Sequence, residues 1–212
     1  MFVVSLPVVF DTRLSFGFLH RRACPGFPWT STIPFVNVIL FGYRASGKTT
    51  IGSRLADRLG RTFVDVDERI CARFGGRTIA QIWADEGEPA FRRTESQEAR
   101  ALCRQDDLVI GLGGGTLMQD VAREAVRLAD AHRVYLKCEP EELLRRIRED
   151  EKSTSARPNL TGLGGGIEEI QAVLGEREPI YRSAADQILD VTHLNLHDAV
   201  EVLAASCRAD RA

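Results

Sequence analysis

One short segment constrains the fold of this chain more than any other. The pattern G-x-x-x-x-G-K-[ST] is filled by Gly42, Gly47, Lys48 and Thr49. An apolar run at residues 36–41 precedes it and predicts a buried strand, and apolar residues recur at four-residue steps after it and predict a helix. Such a unit turns backbone N–H groups towards one point, where the lysine reaches the outer phosphates of a nucleotide. Nucleotide phosphate is therefore the expected ligand.

Predicted strands and helices alternate along the chain after this unit. Further apolar runs predict strands at residues 62–66, 108–112, 133–137 and 188–191. Helical patterns cover residues 68–74, 79–104 and 121–129, a stretch opened by Pro140, and residues 197–205. This α/β alternation predicts a parallel five-stranded sheet with helices on both faces. Ligands of such sheets bind at the carboxyl ends of the strands.

Two carboxylates stand at the end of the second predicted strand, in the triplet Asp65-Val66-Asp67. Because alternate side chains of a strand share a side, both are expected to face the site opened by the phosphate-binding loop. One could support a magnesium ion, and the other could accept a hydrogen bond from a substrate hydroxyl. The alternative is that the pair caps a helix that begins near Glu68, since Asp favours helix N-termini.

Three consecutive glycines, Gly113 to Gly115, follow the third predicted strand. Glycines carry no side chain to pack, so the run is explained if some group approaches the main chain closely, with a flexible turn as the alternative. Arginines that could bind a carboxylate or a phosphate stand elsewhere in the chain, at Arg92, Arg157 and Arg182. Each arginine alone would be an ordinary surface residue, but together with a phosphate-binding loop they predict a site for anions.

Composition limits the function classes. The chain is 44% hydrophobic and 27% charged, as expected of a soluble globular protein, and its net charge of −2 argues against a nucleic-acid partner. Five scattered cysteines without a C-x-x-C pair indicate reduced thiols and no zinc site. No heptad pattern suggests assembly, so we expect a monomer that acts on small molecules.

Residues 1–35 differ from the rest, with four of the eight prolines, six of the ten phenylalanines and a single acid. Their apolar stretch is too short to span a bilayer. We expect a poorly ordered extension, or a start site upstream of the true one, ahead of one domain at residues 36–212. A cytoplasmic location is expected, and organellar import through residues 1–35 is the less favoured alternative.

These motifs, in this order, resemble those of the shikimate kinase family, which has a P-loop fold of the nucleoside-monophosphate-kinase type. The matching motifs are residues 42–50, the triplet 65–67, Gly87-Glu88 leading to Phe91-Arg92-Arg93, the three glycines, Arg157-Pro158 and residues 177–182. The resemblance implies a mobile lid at about residues 150–167. It also implies transfer of the γ-phosphoryl group of ATP to the 3-hydroxyl of shikimate, giving shikimate 3-phosphate for aromatic amino acid biosynthesis.

The resemblance also implies roles for individual residues. ATP would be bound by Ala45, Ser46, Gly47, Lys48, Thr49, Thr50 and, from the lid, Arg157. Magnesium would be supported by Thr49 and Asp65. Shikimate would be bound by Asp67, Arg92, Gly114 and Arg182, with the two arginines on its carboxylate. The catalytic residues would be Lys48, Asp67 and Arg157.

Some features depart from the family pattern or stay open. Ala45 stands where a glycine is common, and the lid segment is longer than in compact members. Candidates for adenine contacts are Arg145, Arg146 and the residues around His193. One alternative function is a related kinase acting on gluconate or a nucleoside monophosphate, against which the arginine pair argues. The other is a non-catalytic P-loop module, against which the intact lysine, threonine and carboxylates argue.

Overall fold

The computed structural model describes residues 37–150 and 166–209. Its strands are β1 (Asn37–Phe41), β2 (Thr62–Asp65), β3 (Leu108–Gly111), β4 (Ala131–Lys137) and β5 (Gln187–Asp190). Its helices are α1 (Lys48–Leu59), α2 (Val66–Arg73), α3 (Ile79–Glu86), α4 (Glu88–Leu102), α5 (Asp120–Leu128), α6 (Pro140–Glu149), α7 (Ile167–Ala184) and α8 (Leu196–Ala209). A short 3-10 turn, Thr116–Met118, follows β3. The expectations for residues 1–35, for Arg157 and for nearly all of the lid fall outside the described residues.

The five strands form one parallel sheet in the order β2-β3-β1-β4-β5, so the predicted sheet is confirmed. The central strand β1 is buried along its whole length. Val38 and Leu40 belong to one core cluster, whereas Ile39 and Phe41 belong to a second. Alternation along a strand places these pairs on opposite faces, and helices cover both. The carboxyl end of β1 therefore opens between two packed layers.

The acidic triplet differs from the prediction. Strand β2 ends at Asp65 and α2 begins at Val66, so the two carboxylates are not alternate residues of one strand. Asp65 is the N-cap of α2, and its Oδ1 accepts hydrogen bonds from the backbone N–H groups of Asp67 at 2.9 Å and Glu68 at 3.4 Å. The capping interpretation is thus right for Asp65, and Asp67 lies in the first turn of the helix.

Two helical regions also differ. The predicted helix over residues 79–104 is split at Gly87, whose φ of +80° separates α3 from α4. Helix α7 was not predicted, because Pro179 lies inside it and proline ordinarily ends a helical pattern. Within residues 37–150 and 166–209, no helix combines the length and hydropathy that a bilayer crossing requires.

Candidate active site

The phosphate-binding loop connects β1 to α1, and its own lysine donates hydrogen bonds back to the start of the loop. Lys48 Nζ donates hydrogen bonds to the carbonyl oxygens of Gly42 at 3.1 Å and Tyr43 at 2.8 Å. Gly47, with a φ of +94°, is the residue from which α1 begins. The N-terminal N–H groups of α1 and the Lys48 ammonium group therefore stand at the same place, at the carboxyl edge of the sheet.

Two residues of this loop have special backbone conformations. Gly42 has a φ of +151°, and a Cβ atom there would lie 2.6 Å from the carbonyl oxygen of Leu136, so only glycine fits. Ala45 has a φ of +62°, in the left-handed region that glycine adopts freely. A non-glycine residue there costs about 1 kcal/mol, so the alanine is accommodated with some strain.

A hydroxyl and a carboxylate meet beside the loop. Thr49 Oγ1 donates a hydrogen bond of 2.7 Å to Asp65 Oδ2, while Asp65 Oδ1 caps α2. Both groups are hard oxygen donors, the type that magnesium prefers. Among the residues that the structure describes, no group of three or more His, Cys, Asp or Glu side chains could hold a metal unaided.

One cavity, which we call the loop cavity, lies over this loop. Its lining includes Ala45, Gly47, Lys48, Thr49, Thr50, Asp65, Asp67, Arg146, Leu194 and Leu196. Ser46, in the same loop, is buried rather than on this wall. Arg146 donates to Glu142 and to the carbonyl of Val191, both at 2.7 Å. Arg145 is exposed, pairs with Glu142 and Glu149, and is not on the wall. Of the two arginines considered for adenine, only Arg146 reaches this cavity.

A second cavity, the arginine cavity, lies beside the first. It is lined by Arg44, Asp67, Ile79, Trp83, Phe91, Arg92, Glu95, Gly114, Gly115 and Arg177. Three guanidinium groups from separate elements converge here with two carboxylates and an aromatic wall. Asp67 lines both cavities, so this carboxylate marks the boundary between them.

Arg92 is held from several sides. It donates hydrogen bonds to Glu88 at 3.1 Å and Glu95 at 2.8 Å, and it lies 5.4 Å from the ring centre of Trp83. Burial alone would lower the pKa of Arg92, but the two acids keep it above its usual value. Glu95 is buried and also accepts a hydrogen bond of 2.7 Å from Thr116 Oγ1. Burial raises the pKa of the Glu95 carboxyl, and Arg92 opposes this effect.

Close approach explains two of the three glycines, Gly113 and Gly115, whereas a Cβ at Gly114 would lie 3.4 Å from its nearest neighbour, the Gly42 carbonyl oxygen. None of the three has a positive φ. A Cβ at Gly113 would lie 2.5 Å from Glu95 Oε1 and 2.7 Å from Asp67 Oδ1, and a Cβ at Gly115 would lie 2.5 Å from Arg92 Nη1. The charged side chains of the arginine cavity therefore occupy the space that side chains at these positions would need. The flexible-turn alternative is not required for Gly113 and Gly115.

The arginine assigned from residues 177–182 needs a correction. Arg177 lines the arginine cavity and donates a hydrogen bond of 2.9 Å to the Gly114 carbonyl, which Tyr181 Oη also contacts. Arg182 does not line it, since its side chain is 49% exposed and pairs with Glu178 at 2.6 Å. Five residues along a helix turn a side chain about 140° away, so the two arginines cannot face the same cavity. Arg177 replaces Arg182 in the candidate site.

Three charged residues of this cavity, Arg44, Glu95 and Arg177, had no role predicted from the sequence, and neither had Trp83. Arg177 and Tyr181 are four residues apart, so a helix prediction for this segment would have aligned them on one face. Glu95 is three residues after Arg92 on α4, a spacing that favours an ion pair. For Trp83, no sequence pattern indicates a place at the site. Arg44 lies within the phosphate-binding motif, but at a position where the motif specifies no residue type.

Comparisons with known proteins agree with this geometry. A family model described as shikimate kinase matches residues 44–207. The shikimate kinase of Rhodopirellula baltica is 35% identical over 171 residues, which are 80% of this chain and 90% of that protein. The shikimate kinase of Mycobacterium avium is 41% identical over 157 residues, 74% of this chain and 85% of its own length.

A solved structure is similar in the same way. The shikimate kinase from Acinetobacter baumannii in complex with shikimate superposes with a TM-score of 0.76 at 30% identity, covering 85% of this chain and 96% of that one. The family model, the curated relatives and this structure all span most of the chain, and the range of the family model includes the residues that line both cavities. The chain therefore belongs to the shikimate kinase family.

Proposed function

We propose that this protein transfers the γ-phosphoryl group of ATP to the 3-hydroxyl of shikimate, giving shikimate 3-phosphate for aromatic amino acid biosynthesis. One observation carries the proposal beyond family membership. Asp67 borders a cavity built on a phosphate-binding loop and, on its other side, a cavity lined by arginines. A phosphoryl donor and an anionic acceptor would thus meet at a single carboxylate.

The loop cavity would hold ATP. The N–H groups of residues 45–50 and the ammonium group of Lys48 would bind the phosphates. Arg146, with Leu194 and Leu196, lines the far part of this cavity and would contact the adenine ring. Thr49 Oγ1 and Asp65, already 2.7 Å apart, would hold magnesium, whose positive charge offsets that of the phosphates.

The arginine cavity would hold shikimate. Among the described residues, Arg177 is bonded to a carbonyl rather than to a carboxylate, so its charge is available to an acidic ligand. Arg92 offers a second guanidinium that stacking and ion pairs keep in place. Together they would bind the shikimate carboxylate. The Gly114 main chain would bound the ring.

Phosphoryl transfer demands alignment of donor and acceptor and neutralisation of the transferred charge more than covalent chemistry. Asp67 would accept the proton of the attacking hydroxyl, or orient it, at the boundary of the two cavities. Lys48 would stabilise charge on the transferred group. A second cation, Arg157, is proposed from its family motif alone.

We also propose the oligomeric state and the location of the protein. A net charge of −2 favours small-molecule substrates over nucleic acid, and we propose a cytoplasmic monomer. Size-exclusion chromatography with light scattering would test the monomer.

Release of ADP from ATP and magnesium by the purified full chain tests the proposed function. Parallel reactions contain shikimate, gluconate, a panel of nucleoside monophosphates, or no acceptor. We expect release with shikimate alone. Release with another acceptor would keep the fold and overturn the substrate, and nucleotide binding without turnover under any condition would overturn the enzymatic role.

A further inference from the structure

A third guanidinium reaches the arginine cavity from the phosphate-binding loop itself. Arg44 lies within this loop, between Gly42 and Gly47, and its side chain is only 10% exposed. It lines the same cavity as Arg92, on α4, and Arg177, on α7. One residue of the nucleotide-binding segment is thus also part of the wall that faces the acceptor.

Arg44 is held there by a buried acid. Its Nη2 lies 3.6 Å from Oε1 of Glu169, a residue in the first turn of α7 that is completely buried. A buried carboxylate is costly unless a positive group compensates it. Glu169, Arg177 and Tyr181 are spaced by multiples of four residues, so they lie along one side of α7. The helix side that presents Arg177 to the cavity therefore also holds Arg44.

The pairing leaves Arg44 with hydrogen-bonding capacity. A separation of 3.6 Å balances charge but is too long for a hydrogen bond. Among the described residues, Nε of Arg44 is buried without a hydrogen-bond partner. Buried donors without partners are rare in native proteins and call for an explanation. An anionic ligand of the arginine cavity, drawing the guanidinium towards it, supplies one.

We infer that Arg44 is a further acceptor-binding residue and that Glu169 is its positioning residue. The inference rests on the proposed function and deepens it, because it assigns the acceptor carboxylate a third guanidinium. Since Arg44 belongs to the loop that would hold the ATP phosphates, one short backbone segment would fix the acceptor relative to the donor.

Steady-state kinetics of the full chain test this inference with Arg44→Met, Glu169→Gln and the double variant. Arg44→Met should raise the KM for shikimate about tenfold or more, as for loss of a charged hydrogen bond, with little change in the KM for ATP. Glu169→Gln should raise the KM for shikimate by a smaller factor. The double variant should have the same KM for shikimate as Arg44→Met alone, because Glu169 acts through Arg44. The exposed pair Arg58–Glu201, at 2.7 Å, provides the controls Arg58→Met and Glu201→Gln.

Shikimate carboxamide, which lacks the negative charge, identifies the group that Arg44 contacts. Arg44→Met should reduce the preference for shikimate over its amide, and Arg44→Lys, which keeps the charge without the planar fork, should reduce it partly. If circular dichroism shows that Arg44→Met does not fold, the lysine variant carries the test.

Three outcomes would overturn the inference. One is an unchanged KM for shikimate in the Arg44 variants. Another is a Glu169→Gln effect of equal size with and without Arg44. The third is a fall in kcat together with a rise in the KM values for both substrates and a loss of thermal stability, because that pattern would make the pair purely structural. Failure of the unsubstituted protein to phosphorylate shikimate would instead overturn the proposed function.

Discussion

The two cavities that meet at Asp67 offer different groups to a ligand: mainly main-chain groups in the loop cavity and charged side chains in the arginine cavity. The phosphate-binding part of the loop cavity is one continuous segment, residues 45–51, and residues of β2, α2, α6 and α8, with others that follow β3, α6 and β5, complete its wall. The arginine cavity is assembled from the loop, α2, α3, α4, the glycines after β3 and α7. Two of its three arginines pair with buried acids, Arg92 with Glu95 and Arg44 with Glu169.

This difference determines what each side tolerates. Main-chain binding depends on the space and the dihedral angles that a few glycines allow, so the loop cavity should be sensitive to added side chains. A network of paired charges depends on every member, since removing one partner leaves the other buried and uncompensated. The arginine cavity should therefore be sensitive to loss of charge.

The largest expected effect on activity is at Asp67, which lines both cavities and so belongs to neither side of the comparison. Asp67→Asn should lower kcat by about 10²–10⁴-fold, because an amide cannot accept the proton of the attacking hydroxyl. ATP affinity, measured by isothermal titration calorimetry, should change little. Asp106→Asn removes an exposed carboxylate that lines neither cavity and serves as the control. An unchanged kcat would remove Asp67 from the mechanism.

The next largest effect is expected from adding a side chain where the phosphate-binding loop has no space for one. Gly42→Ala should destabilise the fold by about 2–3 kcal/mol, because its Cβ would meet the Leu136 carbonyl at 2.6 Å. Urea unfolding measures the change. Gly175→Ala, in α7 where a Cβ meets nothing within 4 Å, should instead stabilise by about 0.5–1 kcal/mol. Equal midpoints for the two variants would contradict the requirement for space at Gly42.

The third effect in size is expected from removing a positive charge from the arginine cavity. Arg177→Met should weaken shikimate binding about 10- to 100-fold, as for loss of hydrogen bonds to a charged group, and leave ATP binding intact. Arg182→Met, on the same helix but facing solvent, should change shikimate affinity less than twofold, as for a surface ion pair. Titration calorimetry of both variants decides the correction, and the reverse pattern would restore Arg182 to the site.

The smallest effect concerns Ala45. Ala45→Gly relieves a left-handed conformation worth about 1 kcal/mol, but a glycine also makes the unfolded chain more flexible, by about 0.4–1 kcal/mol. The free energy of unfolding should therefore rise by only a few tenths of a kcal/mol. ATP should bind slightly more tightly if the Ala45 methyl group limits approach to phosphate. A weaker affinity for ATP would show that the methyl group contributes contacts instead.

The difference between the cavities also explains which predictions succeeded. The strand before the loop, the loop and the helix after it are encoded by neighbouring residues, so local pattern was sufficient. Close approach was also inferred correctly for Gly113 and Gly115, although the atoms that approach them, on Glu95, Asp67 and Arg92, could not be named.

Predictions failed where they depended on which direction a side chain takes on a helix, or on where a helix is interrupted. Pro179 concealed α7, and without that helix nothing indicated that Arg177 and Arg182 point in different directions. Gly87 divided a long helical pattern into two helices. For Asp65 and Asp67 the expected result, both carboxylates beside the loop, was right for the wrong reason: a helix cap and a first helical turn bring them there.

The position of Asp67 between the cavities has a consequence for inhibitors. Asp67 lines both cavities in the described part of the chain, so one molecule could join an adenosine phosphate mimic to a hydroxylated cyclic acid by a short linker. Binding of the first half would then place the second at a high effective concentration. Such a bisubstrate compound would draw selectivity from the arginine side, because phosphate-binding loops are shared by many nucleotide-binding proteins whereas this arrangement of arginines is not.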